Sequence, residues 1–320
     1  MMMSPKSLVV AGLGFGAALG IALGTLVIAP NMDSAPGPGG ESTDEVREKY
    51  SELVLDNKIA EAQLDSADSV MGELGRFVVD GTLVQRPVMV LSMPDADDAD
   101  VKAVKDLLGS ADSTDAGSIK LTDKFLAQDS ADKLLSLVTS TLPAGAKLDK
   151  KKVDAGTHSG QALAAGLLMD AKTTQPLASV EDRATLLRAL RDAGYIDYKD
   201  GTILPAQAVV VVGGGLVPGD DEDSPAKKYA IDTTVKFLEG FDSVDTAMVY
   251  AGRVQSAGDD GVLDKLRAAK TGISTVDSID HPVSQMATVL AVKEQLDGGK
   301  GVYGSAANAE GAAPALPKDL

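Results

Sequence analysis

The sequence predicts an α/β protein with a parallel sheet, carried behind a membrane helix and a coiled coil. Three observations support this: an apolar run at residues 8–29, a seven-residue hydrophobic repeat over residues 46–78, and short apolar segments that alternate with amphipathic ones over residues 87–296. Strands that are apolar throughout and alternate with helices are typical of a doubly wound, Rossmann- or flavodoxin-like sheet covered on both faces.

The predicted domains follow from these three patterns. They are a cytoplasmic N-terminus and transmembrane helix at 1–30, a linker at 31–40, a coiled coil at 41–80, an extracytoplasmic α/β domain at 86–300 and a disordered tail at 301–320.

The apolar run at residues 8–29 contains no charged residue. A helix needs about 20 residues to cross a bilayer, so this run is long enough. Gly12, Gly16, Gly20 and Gly24 recur at every fourth position and form a repeated G-x-x-x-G groove, along which two helices can approach closely. We expect these glycines to contribute to dimerisation, although glycine is also frequent in membrane helices that make no such contact.

The charges that flank the apolar run predict its orientation. Lys6 precedes the run, and the next basic residue is Arg47. By the positive-inside rule the N-terminus lies in the cytoplasm and the rest lies outside the plasma (inner) membrane, as in a single-pass protein. A signal peptide that is cleaved near residues 26–29 is the alternative.

A hydrophobic repeat with alternating 4-3 spacing follows the linker and predicts the a/d seam of a coiled coil. Asn57 lies at an a position, where a buried amide paired with its own copy selects two strands in register. We therefore expect a parallel homodimer; the alternative is one amphipathic helix packed on its own domain. The expected seam residues include Tyr50, Leu53, Asn57, Ala60, Leu64 and Met71, and the repeat also takes in Val46, Ala67, Leu74 and Val78.

Three apolar residues of the same segment, Val54, Leu55 and Ile59, lie off the seam. An exposed apolar stripe on a helix is a common docking surface for a partner helix. We therefore expect these residues to bind a partner protein.

The remaining segments predict the elements of the α/β domain, in which wholly apolar runs are strands and segments with helical spacing are helices. The predicted strands are 88–91, 118–122, 208–212, 247–251 and 274–278. The predicted helices are 97–108, 129–142, 159–171, 179–193, 227–239, 262–269 and 283–296.

Composition excludes several classes of function. The net charge of −17 argues against binding to nucleic acid or to anionic lipid surfaces, because phosphates would be repelled. The chain has no cysteine and two histidines, so disulfides, thiolate metal sites and a histidine-based metal centre within one copy are not expected.

Candidate catalytic and metal-binding groups do not assemble into a site from spacing alone. Gly213–Gly215 follow a strand but complete no phosphate-binding motif, so we interpret them as a tight strand-to-loop turn. His158 stands in a Gly-Thr-His-Ser-Gly stretch that also fits a helix N-terminus capped by Thr157 or Ser159. Met89 and Met93 could bind Cu(I) but also fit a core. We expect no enzyme, no metal and no cofactor.

The C-terminal motif is similar to the signature of the MctB family of actinobacteria. Residues 273–280 (Ile-Ser-Thr-Val-Asp-Ser-Ile-Asp) open it, residues 285–291 and 294–299 continue it, and Gly301-Val302-Tyr303-Gly304 close it. The resemblance covers nearly the whole chain and points to Ser274, Thr275, Val276, Asp277, Gly301, Tyr303 and Gly304 as family residues. The family usually has histidine where Val302 stands, and here His281-Pro282 and Ser284 also depart from its pattern.

This resemblance implies a function. Members of the family are described as copper transporters, and its corynebacterial members include SteB, the membrane partner of SteA in daughter-cell separation. The likeness to SteB implies a non-enzymatic dimeric scaffold that docks SteA and regulates an NlpC/P60-type peptidoglycan hydrolase such as RipA, which carries a coiled-coil segment. Copper transport or efflux is the alternative, with copper implied by the family description alone.

Overall fold

The computed structural model describes residues 43–216, 225–244 and 246–316. The predicted transmembrane helix, its glycines and the linker lie outside this range, as does the last part of the tail. None of the helices in the described ranges is both long and apolar enough to cross a membrane. The chain divides into two units, residues 1–67 and residues 68–320.

The first described element is one long helix, α1 (Thr43–Val79), which covers the predicted coiled-coil segment. The unit boundary at Ala67 falls inside it. The 4-3 spacing therefore does belong to a helix, while the pairing of two such helices stays a prediction.

Within the described residues, seven strands form one sheet in the order β3-β2-β1-β4-β5-β6-β7. All neighbouring pairs are parallel except β2 and β3, which are antiparallel. The prediction of a mixed α/β fold with a mainly parallel sheet is confirmed. The strands are β1 (Pro87–Ser92), β2 (Thr114–Leu121), β3 (Ile196–Tyr198), β4 (Ala208–Val212), β5 (Ala247–Ala251), β6 (Ser274–Val276) and β7 (Val302–Tyr303).

Alternate side chains of the central strands enter two separate cores. Met89 and Val209 face one core, while Val90 and Val210 face the other. Because both faces are covered by helices, β4 and β5 are buried along most of their length and rich in Val, Ala and Met, which is why they could be found from the sequence. The further helices are α2 (Asp98–Ser110), α3 (Asp123–Leu126), α4 (Ala131–Ser140), α5 (Ala155–Leu167), α6 (Val180–Asp192), α7 (Pro225–Phe241), α8 (Val262–Ala269) and α9 (Pro282–Leu296).

The structure corrects the predicted C-terminal tail. Strand β7 pairs with β6, and the side chain of Tyr303 is buried in the core that also holds Val276. The prediction of disorder from residue 301 is therefore wrong for residues 301–316. Its composition, rich in Ala and Gly, hid a strand only two residues long.

The strand order reverses between β1 and β4, since the chain builds outwards from β1 to β3 and then returns to β4 on the other side. Ligands of open parallel sheets commonly bind at such a switch point, beyond the carboxyl ends of the strands. This position holds the loop after β1 and the glycines after β4.

Candidate functional site

The C-terminal two turns of α1 attach the helix to the α/β domain through small and apolar residues. Gly75 and Val79 are buried. A methyl group placed on Gly75 would lie 3.7 Å from Leu107 on α2 and 4.0 Å from Met286 on α9. His281, at the start of α9, adds a polar contact of 2.6 Å between its Nδ1 and Asp68 Oδ2.

Of the predicted seam residues in this part of α1, only Val78 packs against the core of the domain. Met71 and Leu74 are exposed, and Val78 is half-buried. The helix therefore packs on its own domain with one face and presents the seam on a neighbouring face.

The preceding turns of α1, up to residue 67, also present apolar side chains to solvent. Leu64 on the predicted seam is 47% exposed, and Leu55 and Ile59 off the seam are 57% and 47% exposed. Tyr50, Leu53 and Val54 are partly exposed, and Ala60 is exposed. Asn57 Nδ2 donates to Glu61 Oε1 at 2.9 Å within the same helix. The predicted roles of these residues in dimerisation and partner binding stay predictions.

The family motif forms a buried polar centre at the β6–β7 edge of the sheet. Asp277, fully buried, accepts from Arg267 Nη2 at 2.9 Å and from the backbone N–H of Ser305 at 2.7 Å. Arg267 also donates to the carbonyl of Tyr303 at 2.8 Å and to Asn308 Oδ1 at 2.6 Å. This ion pair therefore fixes the chain after β7 to the end of β6.

The other motif residues complete the same structure. Ser274 Oγ accepts from the backbone N–H of Gly301 at 3.2 Å, and the Tyr303 hydroxyl donates to Glu294 at 2.6 Å. Burial, and then this hydrogen bond to a carboxylate, raise the pKa of Tyr303. Gly304 has a φ of +128°, and any side chain there would overlap the Asp277 carboxylate. The motif residues thus hold the sheet edge together.

The glycines at the switch point permit close packing of two loops. A methyl group on Gly214 would overlap the carbonyl of Asp95, and one on Gly213 would overlap the hydroxyl of Tyr250. Asp95 Oδ2 accepts from the backbone N–H of Leu216 at 3.1 Å. A carboxylate of the chain itself therefore lies where the glycine loop of a nucleotide-binding protein would hold a phosphate.

Beside this loop, Arg253 is held by two carboxylates of the α2 N-terminus. Its Nε donates to Asp100 at 3.0 Å and its Nη2 to Asp97 at 3.0 Å. These bonds raise the pKa of Arg253, with the bond to Asp100 as the largest cause. The adjoining crevice of about 380 Å³ is lined by Asp95, Gly215, Leu216, Lys227, Arg253 and Gln255.

His158 lies in the first turn of α5, which is capped by Asp154 and not, as predicted, by Thr157 or Ser159. Asp154 Oδ1 accepts from the backbone N–H of Thr157 at 2.9 Å. His158 is buried and its Nε2 lies 2.9 Å from the carbonyl of Asp149. Because a carbonyl can only accept, Nε2 carries the hydrogen; Nδ1 has no partner among the described atoms.

The glycines around His158 have a packing role that the sequence did not reveal. A methyl group on Gly156 would lie 2.8 Å from the Thr233 carbonyl of α7, and one on Gly160 would overlap the Phe237 carbonyl. From the α7 side, a methyl group on Gly240 would overlap the Thr157 carbonyl. The stretch is a small-residue helix contact, and its four-residue glycine spacing was the signal that could have identified it.

The potential metal donors named in the sequence analysis were located in the described residues. No group of three or more His, Asp or Glu side chains comes together there. Met89 and Met93 are both buried in one hydrophobic core. These two methionines therefore pack as core side chains.

Comparisons with known proteins place this fold in a family. The family model described as "Copper transport outer membrane protein, MctB" matches residues 2–314. Proteins named copper transporter MctB from Mycobacterium tuberculosis and Mycobacterium bovis are each 31% identical over 297 residues, which cover 90% of this chain and 91% of theirs. The Mycobacterium leprae protein of the same name is 35% identical over 240 residues, or 72% of this chain and 74% of its own. The chain belongs to the MctB family.

Proposed function

We propose that the chain is a non-enzymatic protein of the cell envelope that acts as a dimeric scaffold in cell separation. A single N-terminal helix anchors it in the plasma membrane, with the N-terminus in the cytoplasm and the α/β domain outside. It docks a SteA-like membrane partner and an NlpC/P60-type peptidoglycan hydrolase, similar to RipA, whose activity it controls. The family description as an outer membrane protein supports a place in the envelope.

The observation that carries this proposal is the exposed apolar surface of α1. Leu64 and Leu74 on the predicted seam are each 47% exposed, and Leu55 off the seam is 57% exposed. Since about half of each side chain is already covered, burial of the rest stabilises an assembly by about 1 kcal/mol per side chain. Two faces of one helix are thus available, one for a second copy and one for a partner helix.

The polar groups of the α/β domain support an adaptor role. Asp95 accepts a hydrogen bond from the loop that follows β4, and Arg253 is hydrogen-bonded to Asp97 and Asp100. Arg267 forms an ion pair with Asp277. Each of these groups has a structural partner within the domain, which supports a structural role for it.

A pull-down from membranes with the full chain tests partner docking. We expect Leu55→Asp or Ile59→Asp to reduce capture of the hydrolase about tenfold or more, because a charge in an apolar helix contact costs over 1.4 kcal/mol. Val180→Asp is the matched control, since Val180 is an exposed aliphatic residue of another helix, α6. Equal capture by all variants would contradict docking on this face.

Copper handling is the second candidate, because the relatives carry the name copper transporter. If the chain binds copper by itself, the purified full-length chain retains Cu(I) against a chelator. Met71 and His281, an exposed thioether and a partly exposed imidazole, are the donors to replace first. Retention that falls in Met71→Leu or His281→Gln, but not in Met89→Leu, would favour this candidate.

A further inference from the structure

We propose that each copy in the dimer uses Val70 and Phe77 to bind the α/β domain of the other copy, with Val70 in a groove between α1, α2 and α9. This inference rests on the parallel homodimer proposed above and adds a second contact to it. The dimer would then be held by its domains as well as by its coiled coil.

The two side chains are among the most exposed large apolar residues of α1. Phe77 is 72% exposed and Val70 is 57% exposed. Val70 and Phe77 are seven residues apart. Each directly precedes an a position of the predicted coiled coil (Met71 and Val78), so both occupy g positions. The apolar stripe at the base of α1 therefore covers a, d and g positions and is wider than the a/d seam of a simple two-stranded coiled coil.

The groove lies on the other flank of the seam. It has a volume of about 460 Å³ and is bordered by α1, α2 and α9. Ala103 and Leu107 of α2 form its apolar wall, and its rim is polar, with Arg76, Asp106, Ser110 and Gln285. Two glycines of α1 open it: a methyl group on Gly72 meets no atom closer than 3.9 Å, and one on Gly75 none closer than 3.7 Å. An aliphatic side chain fits the space that these glycines leave.

Helix geometry brings the groove of one copy to the g positions of the other. The domain packs against Gly75, an e position, and Val79, a b position, so it lies on the e side of its own seam. In a parallel two-stranded coiled coil, the g flank of each helix faces the e′ flank of its partner. Val70 of one copy therefore comes beside Gly75 of the other and points at the groove.

The same geometry places Phe77 farther along the partner domain. The partner surface beyond the end of its α1 exposes Val84 at 55%. Because a two-fold interface repeats each contact, both copies gain both contacts.

The predicted seam by itself buries little apolar area, which is a reason to expect a second contact. The seam contains Ala60 and Ala67, which bury little area, and Asn57, which lowers stability in exchange for register. Four large apolar side chains, two from each copy, would supply the missing burial at the base.

Cysteine cross-linking in the detergent-extracted full chain tests the inference, because the chain has no cysteine of its own. Differently tagged Val70→Cys and Ala103→Cys variants are co-expressed and treated with a short bismaleimide. We expect the yield of the mixed cross-link to be about tenfold higher than in a control that pairs Val70→Cys with Val153→Cys. Val153 is an exposed residue before α5, in the other helical layer. Leu74→Cys, on the seam, reports the homodimer separately.

The outcomes separate the two proposals. In one outcome, Leu74→Cys links to itself, but Val70→Cys links to Ala103→Cys no more efficiently than to Val153→Cys. This outcome overturns the domain contact and leaves the homodimer supported. If Leu74→Cys does not link to itself, both proposals fail.

A groove-filling variant gives an independent reading. Gly72→Leu occupies the groove and should lower the Val70–Ala103 cross-link about tenfold without loss of folding. Gly109→Leu is the matched control, because Gly109 is an exposed helical glycine with no neighbouring atom within 4 Å of an added methyl group. Equal cross-linking in the two variants would overturn the inference.

Discussion

Asp277 and Arg267 show how a residue-level motif acts in this protein. The carboxylate is fully buried and the guanidinium nearly so, and between them they bind the end of β6, the turn after β7 and Asn308. A buried pair of this kind has costly desolvation, so its value lies in the several hydrogen bonds it completes. The motif could be recognised in the sequence, but its role as a structural clamp depends on contacts across 28 residues of chain.

Replacement of Asp277 tests this clamp. We expect Asp277→Ala to lower the free energy of unfolding by about 3–5 kcal/mol, because it leaves the Arg267 charge buried without its partner. Urea denaturation at fixed protein concentration measures it. The control is Asp98→Ala, which breaks an exposed ion pair with Lys120 and should cost less than about 1 kcal/mol. Similar losses for the two variants would contradict the account.

Tyr303 makes the stability of the domain sensitive to alkaline pH. Burial and the bond to Glu294 raise its pKa above the ordinary value of 10.0, so the folded protein holds this proton more tightly than the unfolded chain. This stabilisation is complete below about pH 10 and is lost as pH rises through the folded pKa. We expect Tyr303→Phe to flatten the fall in stability above pH 10 in urea titrations. Tyr250, with a pKa raised by burial and by Asp95, keeps part of the slope. An unchanged slope in Tyr303→Phe would count against this assignment.

At the scale of elements, the contact between α5 and α7 depends on glycine. Gly156 and Gly160 on one helix and Gly240 on the other bring the two backbones into contact. The sequence showed the same four-residue glycine spacing, but beside a histidine it resembled a catalytic stretch. The sequence alone could not show which helix the glycines pack against, because that depends on the fold.

Adding one methyl group tests this contact. We expect Gly160→Ala to lower the free energy of unfolding by about 3 kcal/mol, because the new methyl group overlaps the Phe237 carbonyl. The matched change, Gly109→Ala in α2, should raise stability by about 0.5–1 kcal/mol through helix propensity alone. Thermal denaturation of the two variants compares them directly. Equal stabilities would show that α5 and α7 are not in close contact.

Helix α1 has one face that packs on the domain and another face that is exposed to solvent. Gly75 and Val79 hold its last turns to the domain, while Met71 and Leu74 stay exposed one step around the helix. The 4-3 repeat identified the exposed face from the sequence. It could not identify the attached face, since Gly75, which makes the closest approach to α2 and α9, gives no hydrophobic signal.

At the scale of the whole molecule, the parallel strands were the most predictable part. Strands β1, β4 and β5 lie inside the sheet and are apolar except for Ser92 at the end of β1, so they stand out from the amphipathic helices around them. The edge strands β3 and β7 have three and two residues, too few for any periodicity. Their places are set by long-range pairs, such as Thr275 with Val302.

The candidate site, too, could be predicted from the sequence only in part. Exposed apolar residues of α1, among them Leu55 and Ile59, were expected from helical spacing and are exposed. The groove beside Gly72 and Gly75 was not expected, because it forms only where α1, α2 and α9 meet.

The central claim is that two copies lie in parallel with their α1 seams facing each other. Self-cross-linking of single-cysteine variants in the detergent-extracted full chain tests it most directly. A disulfide requires Cα atoms within about 7 Å, so it forms between identical positions only where these face each other in register. The account predicts an efficient disulfide dimer of Leu64→Cys and little of Ile59→Cys, which lies off the seam. Equal yields from the two variants, or a Leu64→Cys chain that stays monomeric, would contradict it.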